Sequence, residues 1–196
     1  MSSCRILVTG SNGFIGSLIV SKFFSTSNNE VFGLSKGENR HPELLGSNYF
    51  NVDIKELKKI KPVLTEIRPD IIIHCAAISQ VDICENNPTL CDVINFQATK
   101  YFVDYSEESN SKLIFFSTDF VFEGNKKWMN ISDLPNPQSV YAKSKYKAER
   151  YITSKLGNYS IIRPVLVYGF SAVSARKNIF SWVYQSLTQD KTISVV

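Results

Sequence analysis

The stretch Arg5-Ile6-Leu7-Val8-Thr9-Gly10-Ser11-Asn12-Gly13-Phe14-Ile15-Gly16 fixes the reading of this chain. Arg5 to Thr9 is a short apolar run with β-branched residues, the pattern of a strand buried on both faces. Three glycines follow at a spacing of three, and an amphipathic stretch then runs to about Phe24. A strand, a glycine turn and a helix in that order form the context of a dinucleotide fingerprint. Gly10 permits a tight turn, Gly13 lets a pyrophosphate approach the backbone, and Gly16 lets the helix pack closely on the sheet. The free N–H groups and dipole at the helix start then hold the phosphates. Gly10, Ser11, Asn12, Gly13, Phe14, Ile15 and Gly16 are therefore candidate cofactor-binding residues.

The rest of the chain continues the alternation. Glu30 to Leu34 and Asn48 to Val52 read as strands, and a helix over about Lys55 to Ile67 ends at Arg68-Pro69-Asp70. Ile71 to Ala77 is a nearly all-apolar strand. A helix follows over about Thr89 to Tyr105, then strand Lys112 to Ser117, a helix from about Ser139 to Lys155, and strand Ser160 to Val165. Strands alternating with helices at this spacing predict an α/β fold, a Rossmann-type doubly wound parallel sheet flanked by helices. The chain closes on Thr192-Ile193-Ser194-Val195-Val196, which reads like the opening of another strand.

Composition narrows the function. The chain has 196 residues, 43% hydrophobic and 20% charged, and a net charge of +4. That is a globular composition with neither a nucleic-acid nor a membrane signature. No apolar run approaches the roughly 18 residues of a membrane span. Cys4, Cys75, Cys84 and Cys91 lack metal-ligand spacing and the only histidines are His41 and His74, so no metal site is expected. The N-terminus lacks a cleavable signal, and the cytoplasm is the expected compartment. The second strand ends Leu34-Ser35-Lys36, with Arg40 nearby, where NAD binders place a carboxylate. Ser35 and Lys36 suit a 2′-phosphate, so NADPH is expected, with NADH as the alternative.

Tyr141 and Lys145 stand four residues apart on one helix face, where a cation would stabilise a phenolate and lower the phenol's pKa. Nine Tyr and sixteen Lys in this sequence produce about 0.7 such pairs by chance, so spacing alone does not select them. A second pair, Tyr151 and Lys155, occurs on the same helix. Tyr141 lies near the helix start, beyond the carboxyl end of the strand that leads to Ser117-Thr118-Asp119, where α/β ligands sit. Tyr151 lies deeper and reads as packing, as does His74.

The segments Val8–Gly16, His74–Ala77, Ile94-Asn95, Phe116–Phe122 and Tyr141–Lys145 resemble the extended short-chain dehydrogenase/reductases. Cys75–Pro88, Ser117–Gly124 and Pro135–Glu149 bring the chain nearest to the dTDP-4-dehydrorhamnose reductases among them. The resemblance implies NAD(P)H-dependent reduction of a nucleotide-linked 4-keto sugar. Tyr141 would protonate the carbonyl oxygen, Lys145 would hold the nicotinamide ribose, and Thr118 would polarise the carbonyl. Asp53 and Ile54 would line the adenine, Ala76 and Ala77 would pass beneath the cofactor, Cys75 and Ser117 would belong to the same cofactor site, and Pro164 and Val165 would approach the nicotinamide. Asn95 is assigned to the cofactor site as a brace of the active-site strand. Ser79, Val81, Asp82, Thr118 and Asp119 would meet the substrate, and a homodimer is compatible with the family.

Three departures bear on the sugar. Leu166 occupies a slot that commonly holds Trp, and Met129-Asn130-Ile131 replaces a Tyr-x-Glu. The family also continues for roughly another third of its length. Residues 1–170 are thus read as the dinucleotide-binding domain with the catalytic residues, and 171–196 as the start of a truncated substrate lobe. Two alternatives stand beside the reductase. One is a non-catalytic NADP-binding regulatory protein, resembling the β subunit of methionine adenosyltransferase. The other is a sugar-nucleotide epimerase or dehydratase, which Phe120 after Thr118-Asp119 disfavours.

Overall fold

The computed structural model describes residues 3–26, 28–124, 128–171 and 178–193. Six parallel strands form one sheet in the order β3-β2-β1-β4-β5-β6. They are β1 (Arg5–Thr9), β2 (Glu30–Ser35), β3 (Tyr49–Asn51), β4 (Ile71–His74), β5 (Lys112–Phe116) and β6 (Tyr159–Ile162). The order reverses between β1 and β4, and the crevice beyond their carboxyl ends is where doubly wound sheets take ligands. The helices are α1 (Phe14–Thr26), α2 (Ile60–Ile67), α3 (Val81–Asn86), α4 (Pro88–Asp92), α5 (Ala98–Ser109), α6 (Val140–Lys155) and α7 (Ile179–Thr188).

The core has two layers, one on each face of the sheet. Leu7, Leu34, Ile72, Leu113 and Phe115 pack with α2, α5 and α6 through Leu64, Phe102, Val103, Ala148 and Ile152. Ile6, Val8, Val31 and Ile73 face the other way, towards Val20 of α1 and Leu44. Alternate residues of β1 therefore serve opposite layers, which is why its sequence is apolar throughout. Asp70 ties the amino ends of β1 and β4 together, accepting from the Arg5 backbone N–H at 2.8 Å.

Three of the expected elements differ, each for a local reason. β4 stops at His74 rather than Ala77, because the Cys75 N–H turns to the Thr9 carbonyl and the Ala76 N–H to the Thr9 hydroxyl. β6 stops at Ile162, since Pro164 has no N–H to continue a ladder. The single helix expected over Thr89 to Tyr105 is α4, one π turn (Val93–Gln97) and α5. It is preceded by α3, which the sequence reading missed. Pro88 occupies the first position of α4, where a missing N–H costs nothing, and the Asn87 side chain caps that helix by accepting from Leu90 N–H. α7 was also unanticipated. Lys191, Thr192 and Ile193 are irregular, and the remainder of the expected terminal strand lies outside the described residues.

Phe102 is fully buried between sheet and helices, with its ring 4.7 Å from that of His74. Phe102→Ala should lower the unfolding free energy by about 3–5 kcal/mol, seen as a lower denaturant midpoint at an unchanged slope.

Candidate active site at the carboxyl ends of the strands

The glycine turn leaves β1 with Gly10 at φ +67°, and a Cβ there would lie 2.9 Å from the Ala76 backbone. The turn closes through the Gly13 N–H on the Gly10 carbonyl at 2.8 Å and the Ser17 N–H on the Gly13 carbonyl at 2.9 Å. Gly16 serves a different contact from the one expected: a Cβ there would meet the Gly10 carbonyl oxygen at 2.3 Å. It therefore lets α1 close on its own turn rather than on the sheet. Asn12 turns its side-chain amide away from the turn, donating to the Glu38 carbonyl and the Tyr49 hydroxyl at 2.9 Å each. It thereby anchors the loop after β2. His41, which the sequence reading left without a role, is buried in that same loop, its Nε2 2.8 Å from the Ser11 carbonyl.

Beside this turn runs a chain of buried hydrogen bonds with one consistent direction. The Thr99 hydroxyl donates to the Asn95 carbonyl at 2.8 Å, so it accepts from His74 Nε2 at 3.0 Å. His74 Nδ1 is then the acceptor for the Thr9 hydroxyl at 2.6 Å, and Thr9 in turn accepts from the Ala76 N–H at 3.2 Å. Burial, reinforced by the nearby Lys145 charge, pushes the His74 pKa down to about 3, so the ring is neutral. Asn95 is wholly buried. Its Oδ1 accepts from the Ile78 N–H at 2.8 Å, and its Nδ2 donates to the Ile78 carbonyl and Ser144 Oγ at 3.0 Å each. Its side chain thereby ties the segment after β4 to α6.

Thr118, Tyr141 and Lys145 come together at the ends of β5 and α6. Ser139 caps α6 by accepting from Ala142 N–H, and the Glu85 carboxylate accepts from the Val140 N–H at 2.7 Å. Tyr141 is 8% exposed, packed with Cys84 and Cys91, and its ring meets that of Phe120 edge-on. Its pKa is raised, not lowered as the sequence suggested: burial is the main cause, opposed by its hydrogen bonding with Thr118. Lys145 is 2% exposed, with its ammonium 4.1 Å from the centre of the Phe115 ring. Burial pulls it down to about 7, against the opposing pull of Cys75, Glu149 and Cys91. The Thr118 hydroxyl accepts from the Phe120 N–H and donates to Asp119 Oδ1, both at 3.2 Å, and burial raises the Asp119 pKa.

The remaining candidates fall around this centre. Ala76 and Ala77 follow β4 and are half-buried, and the Cys75 thiol is buried and pushed up to about 12. Ser117 Oγ, Ser11 Oγ and Asn12 Oδ1 are buried without a hydrogen-bond partner. Asp53 pairs with Lys36 at 3.1 Å and Lys55 at 3.6 Å, and these hydrogen bonds and charges lower its pKa against a burial penalty. Ile54 is buried in the core. Val81 packs beside Tyr141, while Ser79 and Asp82 are exposed at the start of α3. The Pro164 carbonyl accepts from the Asp119 N–H at 3.2 Å, and Val165 is 79% exposed. Tyr151 and Lys155 lie apart, bonded to Asp104 and Glu107 respectively. Among the described residues there is no metal-ligand cluster, and no helix is long and apolar enough to cross a membrane.

The neutral His74 sets a pH dependence. Its unfolded pKa is near 6.5, so below that value the unfolded chain takes a proton that the folded one refuses. Stability should therefore fall by about 1 kcal/mol per pH unit between pH 6 and pH 4 from this group. Urea titrations of the native chain and His74→Gln should show that slope lost in the variant.

Comparison with known proteins agrees with this architecture. The chain is 31% identical over 166 residues to methionine adenosyltransferase 2 subunit beta of Danio rerio, covering 84% of this chain and 48% of that protein. It is 28% identical over 188 residues to the probable low-salt glycan biosynthesis reductase Agl14 of Haloferax volcanii, covering 95% and 61%. The crystal structure of dTDP-4-dehydrorhamnose reductase from Bacillus anthracis in complex with NADP superposes with a TM-score of 0.81 at 27% identity, covering 99% of this chain and 63% of that one. The chain thus spans about half to two thirds of the length of these relatives. The family described as RmlD substrate binding domain matches residues 4–196, and the chain belongs to it.

Proposed function

We propose that the chain is the dinucleotide-binding and catalytic part of an NADPH-dependent reductase of nucleotide-linked 4-keto sugars. The observation that carries this reading is the convergence of Thr118, Tyr141 and Lys145 with the glycine turn at the carboxyl ends of β1, β4 and β5. The residues fit a dinucleotide. The turn, closed by the Gly13 N–H on the Gly10 carbonyl, leads straight into the start of α1, and the unpartnered Ser117 hydroxyl lies at the end of β5. The relatives include a reductase solved with NADP.

Bound there, the reduced nicotinamide supplies the hydride. The chain's own residues do the rest. The N–H groups at the start of α1 face the pyrophosphate, those of Gly10 and Gly13 being already bonded to the Leu34 and Gly10 carbonyls. Ser35 and Lys36 receive the 2′-phosphate, which requires the Lys36 ammonium to leave Asp53. Lys145 holds the ribose hydroxyls. The Thr118 hydroxyl turns from Asp119 to donate a hydrogen bond to the substrate carbonyl, and Tyr141 releases its proton to the oxygen as negative charge develops on it. A raised Tyr141 pKa suits this direction, since the phenol must begin protonated. Asp119, with Ser79, Val81 and Asp82, faces the sugar.

A second reading has its own observation: the Danio rerio relative is named as a subunit of methionine adenosyltransferase. On that reading the chain binds NADPH and stops there. Two measurements separate the possibilities. Calorimetric titration should show micromolar NADPH binding, weakened at least tenfold by Gly16→Ala, whose Cβ would displace the turn. Oxidation of NADPH in the presence of a dTDP-4-keto-6-deoxy sugar should then be detectable and fall about 10²–10⁴-fold in Tyr141→Phe. Binding without turnover favours the regulatory reading, and no binding by the folded chain overturns both.

A further inference from the structure

The ion pair between Glu149 and Arg163 is unused by the chemistry above. Glu149 lies one turn beyond Lys145 and two beyond Tyr141 on the same face of α6. Its side chain is 3% exposed and that of Arg163 is 24% exposed. Arg163 Nε and Nη2 donate to the two carboxylate oxygens at 3.0 and 2.7 Å, a two-pronged fork. The guanidinium also lies 5.0 Å from the centre of the Phe122 ring.

The position of Arg163 gives the pair its reach. Arg163 follows the last residue of β6, and the backbone on both sides of it is pinned to the Thr118 segment. The Ser117 N–H donates to the Ile162 carbonyl at 2.7 Å and the Asp119 N–H to the Pro164 carbonyl at 3.2 Å. The fork therefore joins α6, the Thr118 segment and the Pro164 turn at one point. Two apolar side chains of the same volume would hold these elements with equal or greater stability. An ion pair adds a fixed geometry and a field. Around the buried Lys145 the Cys75 thiol after β4, pushed up to about 12, the Tyr141 phenol, also raised, and His74 at the end of β4 are neutral. That leaves the Glu149 carboxylate on its own helix, with Cys91 on α4, to favour the charged form of Lys145.

We infer that Glu149 and Arg163 are the positioning pair of the proposed reductase site. Arg163 fixes the Thr118 segment and Pro164 turn against the catalytic helix, and Glu149 supplies the negative field in which Lys145 works. This inference rests on the NADPH reading above.

The test is NADPH affinity of the full chain between pH 6 and pH 9, expressed as a ratio of variant to native so that the ligand's own titration cancels. Removing the carboxylate disfavours the Lys145 ammonium, so loss of affinity should begin at lower pH. Glu149→Gln should bind within about twofold of native at pH 6 and about tenfold more weakly at pH 8, a displacement of roughly one pH unit. Arg163→Lys keeps the carboxylate but loses the fork, and should weaken binding about threefold to fivefold at every pH with the native profile. A Glu149→Gln ratio that does not change with pH overturns the inference, as does an Arg163→Lys profile displaced like that of Glu149→Gln. If Glu149→Gln does not fold, the double variant Glu149→Gln/Arg163→Met removes both charges, and an undisplaced profile overturns the proposal there. A native chain that binds no NADPH at any pH refutes the cofactor reading itself, and the pair's role with it.

Discussion

The buried hydrogen-bond chain from the Ala76 N–H through Thr9, His74 and Thr99 to the Asn95 carbonyl fixes the distances on which the crevice depends. It links the ends of the two central strands to the helical layer without an exposed member. Asn95 extends it through Ser144, whose hydroxyl donates to the Tyr141 carbonyl at 2.6 Å. The glycine turn and the proposed acid are thus set relative to one another by groups in a low-dielectric interior, where an unmade bond is costly. The arrangement also demands a neutral ring. With both nitrogens protonated, His74 would turn two donors outward, and the Thr9 hydroxyl, already accepting from Ala76, would lose its acceptor.

The same interior governs the ionisable groups. Burial acts on Tyr141 and Lys145 in opposite directions, raising the first and lowering the second, so that both are driven towards their neutral forms. For a phenol that must begin as an acid this is the useful direction. For Lys145 it is not, and the Glu149 carboxylate one turn away opposes it. Spacing on a helix shows that Tyr141 and Lys145 share a face. It does not show that desolvation outweighs any attraction between them, which is why the expectation of a lowered Tyr141 pKa failed.

The legible parts of the sequence were those governed by local pattern. β1, β4 and β5 are buried on both faces and read as apolar runs. Gly10 and Gly16 announce the turn, although the neighbour that Gly16 must avoid is the Gly10 carbonyl and not the sheet. α3 was lost because Val81–Asn86 is only six residues long with apolar and polar residues in equal number, and Pro88, a helix opener here, concealed the break before α4. The end of β4 was overrun because apolar character continues through Cys75-Ala76-Ala77 past the last ladder bond, and that of β6 because Val165 follows the proline that ends the ladder. Glu85, His41 and the Glu149–Arg163 pair could not be read at all. Their partners are 55, 30 and 14 residues away, and a charged or imidazole side chain in a polar stretch gives no sign that folding will bury it.

The buried charges bear on the choice between catalysis and mere binding. A chain that only had to hold a dinucleotide needs the glycine turn, the helix start and a loop for the adenosine. An ammonium enclosed against Phe115 is costly to bury, and its hold on the ribose would serve binding as well as turnover. The phenol of Tyr141 and the Thr118 hydroxyl beside it are the groups that binding alone does not call for. Lys145, the Glu149–Arg163 pair behind it and a protonated Tyr141 braced through Ser144 make physical sense together if a proton must be delivered to a fixed point.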